Sequence, residues 1–507
     1  MTYDFIPHTD SGLPSKVMKH LLSDEGFPRQ FGQSVRVPED LASISAAKDQ
    51  HYPQGIRQKV AEVLRRQNAN LTTQEEENLK MFEAGALTIT TGHQLMVCGG
   101  TAFFEIKILS AIALARESSR LLGRPVVPVF WMATEDHDFE EIASFRVGGQ
   151  KFTWDLSQTG GPVGRIRTYS LCEQLEAFVE RATLTKVQRE FLQKRLDAYG
   201  SSDTLSEGTR KIVREWASAF GILVLDGDDA VLKTLATEIW EKELRGELGV
   251  LIKNRTAQLE DLGFKAQVYP RDINLFELGT NKRERILGPK DVPSETISPN
   301  ALLRPVYQEL LLPNLAYVGG GGELAYWLQL GAVFEALNIP MPRLYLRDSV
   351  LACSEKTERI RKAIDINWSQ LIGVKKEPLI KERLNYLRLL NKETQEYASP
   401  IFDAIGNWEE KMLEAYPEML AHTQATKVKM EKLATKTVEQ RYRIQKRRNQ
   451  EFISALDRVF DAMSPGGAFW ERKASYADLI GMLGEDPKEF LVEKMSTIKA
   501  GTHVLIG

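Results

Sequence analysis

The chain has 507 residues, 43% of them hydrophobic and 27% charged, an ordinary globular composition with enough apolar material for a core that needs no covalent staples. This length exceeds one simple core and predicts two or three structural units. The formal net charge of −3 offers no global electrostatic basis for binding nucleic acid or an anionic membrane. Cys98, Cys172 and Cys353 stand far apart without CxxC spacing, which argues against a disulfide framework or a cysteine zinc site. No stretch approaches the roughly 20 apolar residues of a membrane span, and the segment from Met1 to Pro7 has neither a basic nor an apolar targeting region. The expectation is a cytoplasmic protein with no membrane or nucleic-acid partner.

Residues 1–85 are polar and mostly helical in pattern, with helices expected from about Pro53 to Arg66 and over Thr73–Phe82, the latter capped at Thr72 or Thr73. The character changes at 86–91, a short β-rich run followed by Gly92-His93-Gln94 and Gly99-Gly100. Residues 103–116 place Ile106, Leu109 and Ala113 at helical spacing, and 125–133 form a continuous apolar run of strand length. Strand, glycine loop, helix and strand make a βαβ unit with a buried parallel pair. Pro125 and Pro128 weaken the first half of the second strand as a central one.

A β excursion is expected over 145–170, helices over 171–220, and a buried strand over 221–228 that ends in carboxylates. A helix over 230–255, a hairpin over 265–290 and a helix over 301–312 follow. After the glycine run at 319–322 come a helix over 325–337 and a strand over 341–346. From about Glu377 to Arg458, Lys, Arg, Glu and Gln dominate. Leu433, Val438, Ile444, Phe452, Leu456 and Phe460 approximate a 3–4 spacing, which reads as long antiparallel helices forming a coiled coil, with turns at Pro400, Gly406 and Pro417. A small strand at 503–506 closes the chain. The fold class is α/β with a parallel-sheet core and a helical domain.

Three clusters carry candidate chemistry. Thr91-Gly92-His93-Gln94 lies between a strand and a helix, where open α/β sheets bind ligands. Backbone amides there favour phosphate or carboxylate, and His93 is suited to phosphate binding or acid–base work. The bland alternative is a tight turn with a structural histidine. Glu135-Asp136-His137-Asp138 follows the next strand. Such a group is costly to bury unpaired, and it is suited to binding an ammonium, holding Mg²⁺ through oxygens or supplying a general base. The alternative is an acidic loop capping the helix that begins at Phe139-Glu140-Glu141.

The third cluster is Gly319-Gly320-Gly321-Gly322-Glu323 with Tyr326 and Trp327. The glycines admit a ligand close to the backbone. Glu323 can accept from a ribose hydroxyl or an amine, or simply cap its helix, and the two aromatics either stack on a base or belong to the core. Arg304, Arg343 and Arg347 are softer candidates for carboxylate or phosphate binding. The basic run from Lys427 through Arg441 and Lys446 to Arg448 reads as a solvated helical surface. Cys98 reads as a buried bystander. His8, His20, His51, His422 and His503 are scattered without metal spacing, so no metal site is expected from them.

These clusters resemble, in order and spacing, the cysteine-adding ligase family of bacillithiol biosynthesis. Residues 91–94 match a Thr-Gly-His/Gln-Gln loop, 130–139 a Phe-Trp-x-x-x-Glu-Asp-His-Asp-Phe segment, and 316–330 an Ala-Tyr-Val-Gly-Gly-x-Gly-Glu-x-x-Tyr-Trp-x-Gln-Leu segment. Arg304-Pro305-Val306-Tyr307-Gln308 and Pro465-Gly466 extend the match over essentially the whole chain. The sequence departs from the family at Gly100-Thr101-Ala102, where Gly-Pro-Leu is frequent, and at Phe469-Trp470-Glu471-Arg472, where Leu-Gln-Glu-Arg stands. The first departure leaves the shape of the first loop open.

The resemblance implies a Rossmann-like core over 1–375 with connecting-peptide insertions at about 145–220 and 256–300, a coiled-coil domain over 376–463 and a closing segment over 464–507, in a homodimer. It further implies a reaction: L-cysteine is joined through its carboxyl group to the amine of glucosaminyl-malate. ATP, with or without Mg²⁺, would activate the carboxyl, and no tightly bound cofactor is expected. In that scheme the first loop and His93 hold phosphate, and Gly319–Gly322 with Glu323 hold nucleoside or sugar. Asp136 or Asp138, beside Glu135 and His137, binds the ammonium or takes a proton, and Arg304 meets the malate carboxylates. The core is also similar to class I aminoacyl-tRNA synthetases, whose glycine-glycine-acid-leucine segment Gly321-Gly322-Glu323-Leu324 resembles. Alternative readings are a nucleotidyltransferase or amide ligase for another amino-sugar or amino acid, and a nucleotide-binding coiled-coil scaffold without catalysis.

Overall fold

The computed structural model describes residues 2–23, 26–34, 38–156, 160–495 and 499–507. It divides into two compact units, Met1–Ser354 with Ala468–Gly507, and Glu355–Gly467. The first unit holds two sheets built from β1 (Thr2–Pro7), β2 (Leu87–His93), β3 (Val126–Met132), β4 (Leu223–Asp226), β5 (Asn314–Gly319), β6 (Arg343–Leu346), β7 (Ser349–Cys353) and β8 (Gly501–Ile506). The main sheet runs β6-β5-β2-β3-β4 and is parallel throughout. Renumbered by chain order within the sheet, that is 5-4-1-2-3, the Rossmann arrangement, and the order reverses between β2 and β5. The smaller sheet runs β1-β8-β7, antiparallel then parallel. The C-terminal strand therefore lies between the N-terminal strand and β7.

The apolar runs behave as central strands. Every residue of β3 and β5 is buried, as expected where helices cover both faces of a parallel sheet. Helix α1 (Phe103–Leu122) makes the crossover from β2 to β3 and is buried on most of its surface. Pro128 sits inside β3, yet β4 pairs only with Val129–Met132. The proline thus stands where β3 has a neighbour on one side alone, which resolves its missing N–H.

Several expectations need correction. A strand, β5, precedes the glycine run; it is only six residues long and opens with Asn and closes with Gly, so its β signal is weak. β1 and β7 were also not expected. The helix expected over 230–255 is three helices, Ala230–Leu235, Thr237–Leu244 and Glu247–Asp261, with Gly246 at φ 77° forcing the last break. The helix expected over 325–337 is two, Gly321–Trp327 and Gly331–Ala336. Gly331 is required there, because a Cβ would lie 1.8 Å from the Gln30 carbonyl oxygen. The hairpin over 265–290 is part of a three-stranded antiparallel sheet, Leu275–Leu278, Arg283–Arg285 and Ile297–Pro299.

In the second unit, two long helices, α2 (Lys376–Ala415) and α3 (Leu420–Met463), are joined by a turn at Pro417–Met419. Pairing of Lys376 with Asp457 and of Lys427 with Glu409, each at 2.6 Å, makes them antiparallel. Pro400 and Gly406 do not turn the chain; both lie inside α2. A helix-interior proline costs about 3 kcal/mol, and packing along α3 outweighs it. Leu433 and Ile444 are exposed, at 68% and 45%, whereas Leu456 is fully buried. The stripe is therefore no continuous coiled-coil seam among the described side chains; those of Val438, Arg441 and Lys446 lie outside them. No helix among the described residues is long and apolar enough to cross a membrane.

At the amino end of β5 a buried polar network crosses the sheet. Asn314 accepts through Oδ1 from Thr88 and Thr90 of β2 and donates to Glu309 at 2.6 Å. Glu309 pairs with Lys48 at 2.8 Å, both side chains being at most 1% exposed. Removing one member leaves a charge buried without a partner. The expected outcome for Lys48→Met is a loss of about 3–5 kcal/mol, read from the denaturant midpoint, with Lys48→Met/Glu309→Gln recovering much of it. An unchanged midpoint in the single variant would contradict the network's role.

Candidate functional site

A cavity of about 540 Å³ opens at the carboxyl ends of β2, β3 and β5, at the point where the strand order reverses. Open α/β sheets place their ligand crevice there, because neighbouring crossovers leave in opposite directions. His93 ends β2, Ala133 and Asp136 follow β3, and Gly320 follows β5.

One wall is set by an ion pair. Lys107, on the buried surface of α1, donates to the Gly92 carbonyl and pairs with Glu323 across the cleft, its Nζ 2.7 Å from Oε1. Glu323 also accepts from the Tyr317 hydroxyl at 3.0 Å and from the Gly320 N–H at 2.8 Å. Burial alone would raise the Glu323 carboxyl, but Lys107 outweighs it and holds the group below its ordinary range. Glu323 is therefore committed to closing the turn, and the N–H of Gly320, the residue that caps its helix, faces a carboxylate already present. Beneath, Thr91 donates to the Val318 carbonyl at 2.8 Å and is fully buried; it ties β2 to β5 and does not face the cavity.

His93 packs edge-on against Phe103 and Phe104, each at 5.4 Å. Burial, reinforced by Lys107, pushes its pKa down to about 4, so the ring is neutral at pH 7. Nδ1 lies 3.1 Å from the Gln94 carbonyl oxygen, which can only accept, so Nδ1 carries the proton. Nε2 is left with a free lone pair and no protein partner among the described residues. The site thus presents a hydrogen-bond acceptor at His93.

The acidic cluster does not act together. Only Asp136 reaches the cavity. Its Oδ1 accepts from Arg304 at 2.6 Å and Arg283 at 3.3 Å. Burial pushes its pKa up, yet the two guanidiniums outweigh that and hold it below the carboxylate range. Asp136 is therefore a poor general base. With two arginines on one carboxylate, the group is net cationic and suits an anion better than the ammonium expected from sequence. Glu135 is buried and pairs with Lys233 at 2.8 Å. Asp138 is exposed and caps the short helix Phe139–Ile142 by accepting from the Glu141 N–H. His137 is exposed and accepts from Arg283 at 3.2 Å. Three side chains that diverge cannot share a Mg²⁺ ion. Among the described residues no group of three or more His, Cys, Asp or Glu is placed to hold a metal.

Among the other candidates, Gly92, Gln94, Gly320, Gly321, Gly322 and Tyr326 line the cavity. Gln94 donates to Glu141 at 2.8 Å and sits 3.5 Å from Asp136. Gly319 does not line it; a Cβ there would meet Leu324 at 2.7 Å. Trp327 stacks on Tyr317 at 4.5 Å as core, and its indole N–H, buried beside the cavity, has no partner among the described residues. Arg343 and Arg347 lie outside the cavity lining. Burial pushes the Cys98 thiol up to about 12, which removes it as a nucleophile. Sequence reasoning missed Lys107, Arg283, Glu141 and Arg472. Lys107 alone carried a signal, a single lysine within an apolar helix.

The model of one protein family, described as bacillithiol biosynthesis BshC, N-terminal Rossmann-like domain, matches residues 1–292 and 288–348. A Flavobacterium psychrophilum protein named "Putative cysteine ligase BshC" is 31% identical over 98% of this chain and 97% of its own. A Flavobacterium johnsoniae protein of the same name is 29% identical over the full length of both. A Cytophaga hutchinsonii namesake is 38% identical over 61% of this chain and 62% of its own. A solved Campylobacter jejuni structure assigned as an arginyl-tRNA synthetase covers 83% of this chain and 99% of its own at 9% identity, with a TM-score of 0.27, a likeness too small to bear on fold or chemistry.

Two measurements check the site's electrostatics. A His whose folded pKa lies below its unfolded value contributes stability above pH 6.5 that is lost as pH falls towards 4. Wild type is expected to lose stability over that window relative to His93→Gln; parallel pH–stability curves would contradict a neutral buried His93. Lys107→Met strands Glu323 and is expected to cost about 3 kcal/mol in chemical unfolding; a wild-type midpoint would contradict the clamp.

Proposed function

The chain belongs to the BshC family of bacillithiol biosynthesis, and from that premise we propose that it is an amide-forming ligase joining the carboxyl group of L-cysteine to the amine of glucosaminyl-malate. The relatives' shared name, a cysteine ligase, supports the acid component. The observation that carries the reading is the pairing of a neutral acceptor, His93, with an arginine-held anion, Asp136, in one cavity at the switch point.

Condensing a carboxylate with an amine in water requires an activated carboxyl. ATP supplies it, as an acyl adenylate or acyl phosphate. The amine then attacks the carbonyl carbon, the phosphate-bearing group departs with the C–O electron pair, and the nitrogen gives its proton to water or to the departing phosphate. The Arg304–Arg283–Asp136 group, net cationic, would draw the phosphate or carboxylate oxygens. His93 Nε2 would accept the amine's N–H and orient its lone pair on the carbonyl carbon. Glu141, on the cavity wall with Gln94 as its hydrogen-bond donor, is the available carboxylate for an ammonium. Positioning and preorganised charge would supply most of the acceleration, since no side chain here is a strong base.

The test is direct. The purified chain is incubated with L-cysteine, glucosaminyl-malate and ATP, and product thiol and nucleotide are followed by mass spectrometry. Bacillithiol formation with matching consumption of ATP is expected, reduced roughly 100-fold in His93→Gln and Asp136→Asn. Full activity in both variants would contradict the site assignment. Product formed without ATP would contradict the activation step.

A further inference from the structure

A second cavity, of about 280 Å³, adjoins the first and shares with it the turn Gly320–Gly322 and Arg472. Two of its polar groups lack partners. Arg472 has no ion pair or side-chain hydrogen bond among the described residues, and its guanidinium rests on the Phe103 ring at 4.8 Å. Its neighbour Arg347 rests on the same ring at 4.0 Å but is neutralised by Glu471 at 2.6 Å. Arg347 is therefore buried and matched, whereas Arg472, exposed to solvent at the cavity rim, keeps its charge free for a ligand.

The second group is His8, which lines this cavity and is 3% exposed. Its Nε2 lies 3.0 Å from the Arg347 carbonyl oxygen, which can only accept, so Nε2 holds the proton and Nδ1 a lone pair. Nδ1 is buried without a partner, and a buried acceptor left unmade is costly. The cavity thus offers one cation without an ion-pair partner, Arg472, while His8 Nδ1 is enclosed behind the wall. Its complement is an anion.

The glycine turn supports a ligand that crosses between the cavities. Gly320 and Gly322 have no left-handed backbone. A Cβ at either would meet nothing nearer than 3.5 Å and 3.8 Å. The fold itself does not require glycine at these two positions, whereas a molecule lying over the turn does.

We propose that the second cavity seats the carboxylate-bearing part of the acceptor substrate, with Arg472 as its ionic partner, while the reacting amine lies across the turn beside His93. This rests on the ligase reading, in which that part is the malate portion.

The test separates the two claims. L-Malate alone is titrated calorimetrically into the full chain, with no turnover required. Millimolar-range binding is expected, weakened roughly tenfold in Arg472→Gln and partly restored in Arg472→Lys. In the ligase assay, Arg472→Gln is expected to raise KM for glucosaminyl-malate with little change in kcat. The proposal is overturned if wild type binds no malate or if Arg472→Gln binds as wild type does. Malate binding lost in Arg472→Gln from a chain without ligase activity would leave this seat standing and sink only the reaction.

Discussion

Between the carboxyl ends of β2 and β5, Lys107 reaches from α1 to the Gly92 carbonyl and to Glu323. That contact joins the crossover helix, the end of the central strand and the glycine turn in one place. An ion pair this enclosed adds little net stability over an apolar pair, but breaking it is costly. What it contributes is position. It draws the turn after β5 against β2, fills the positive end of the following helix with a carboxylate, and adds its charge to the burial that keeps His93 neutral. The position of the turn on the cavity wall follows from it, and burial with the added charge of Lys107 sets the protonation state of the imidazole.

Charge around the cavity is arranged in matched groups with a few exceptions. Glu135 answers Lys233, Glu323 answers Lys107, and Glu471 answers Arg347. Asp136 is oversupplied with two guanidiniums. The groups left for a ligand on the cavity walls are the net positive charge around Asp136, His93 Nε2 and Arg472. An excess of positive charge beside a neutral acceptor suits a polar, anionic small molecule.

The parallel core was legible because β2 is a short β-branched run and β3 an apolar run of strand length, separated by a helix with a glycine loop at its entry, and β4 is a further apolar run that ends in a carboxylate. β5 was not legible, since its six residues include a leading Asn and a closing Gly, and its hold on the sheet comes from Asn314 contacting Thr88 and Thr90, a pairing far apart in sequence. The location of the site was legible from strand ends; the roles were not. Four consecutive polar residues at 135–138 read as one cluster, yet a chain leaving a strand sends successive side chains in different directions: Glu135 turns in to Lys233, Asp136 faces the cavity, His137 meets Arg283 from the exposed side, and Asp138 caps the next helix. Arg283 meets Asp136, and Arg472 lines both cavities, from segments far away in sequence, and only the fold brings them there.

The central claim is that this switch-point cavity carries out the ligation of cysteine in cells. Thiol profiling of a strain lacking the gene, complemented with wild type or with Asp136→Asn, tests it most directly. The account predicts loss of bacillithiol and accumulation of glucosaminyl-malate in the deletion, with restoration by wild type and not by Asp136→Asn. Bacillithiol persisting in the deletion, with no second enzyme for the step, would contradict the reaction, and full restoration by Asp136→Asn would contradict the site.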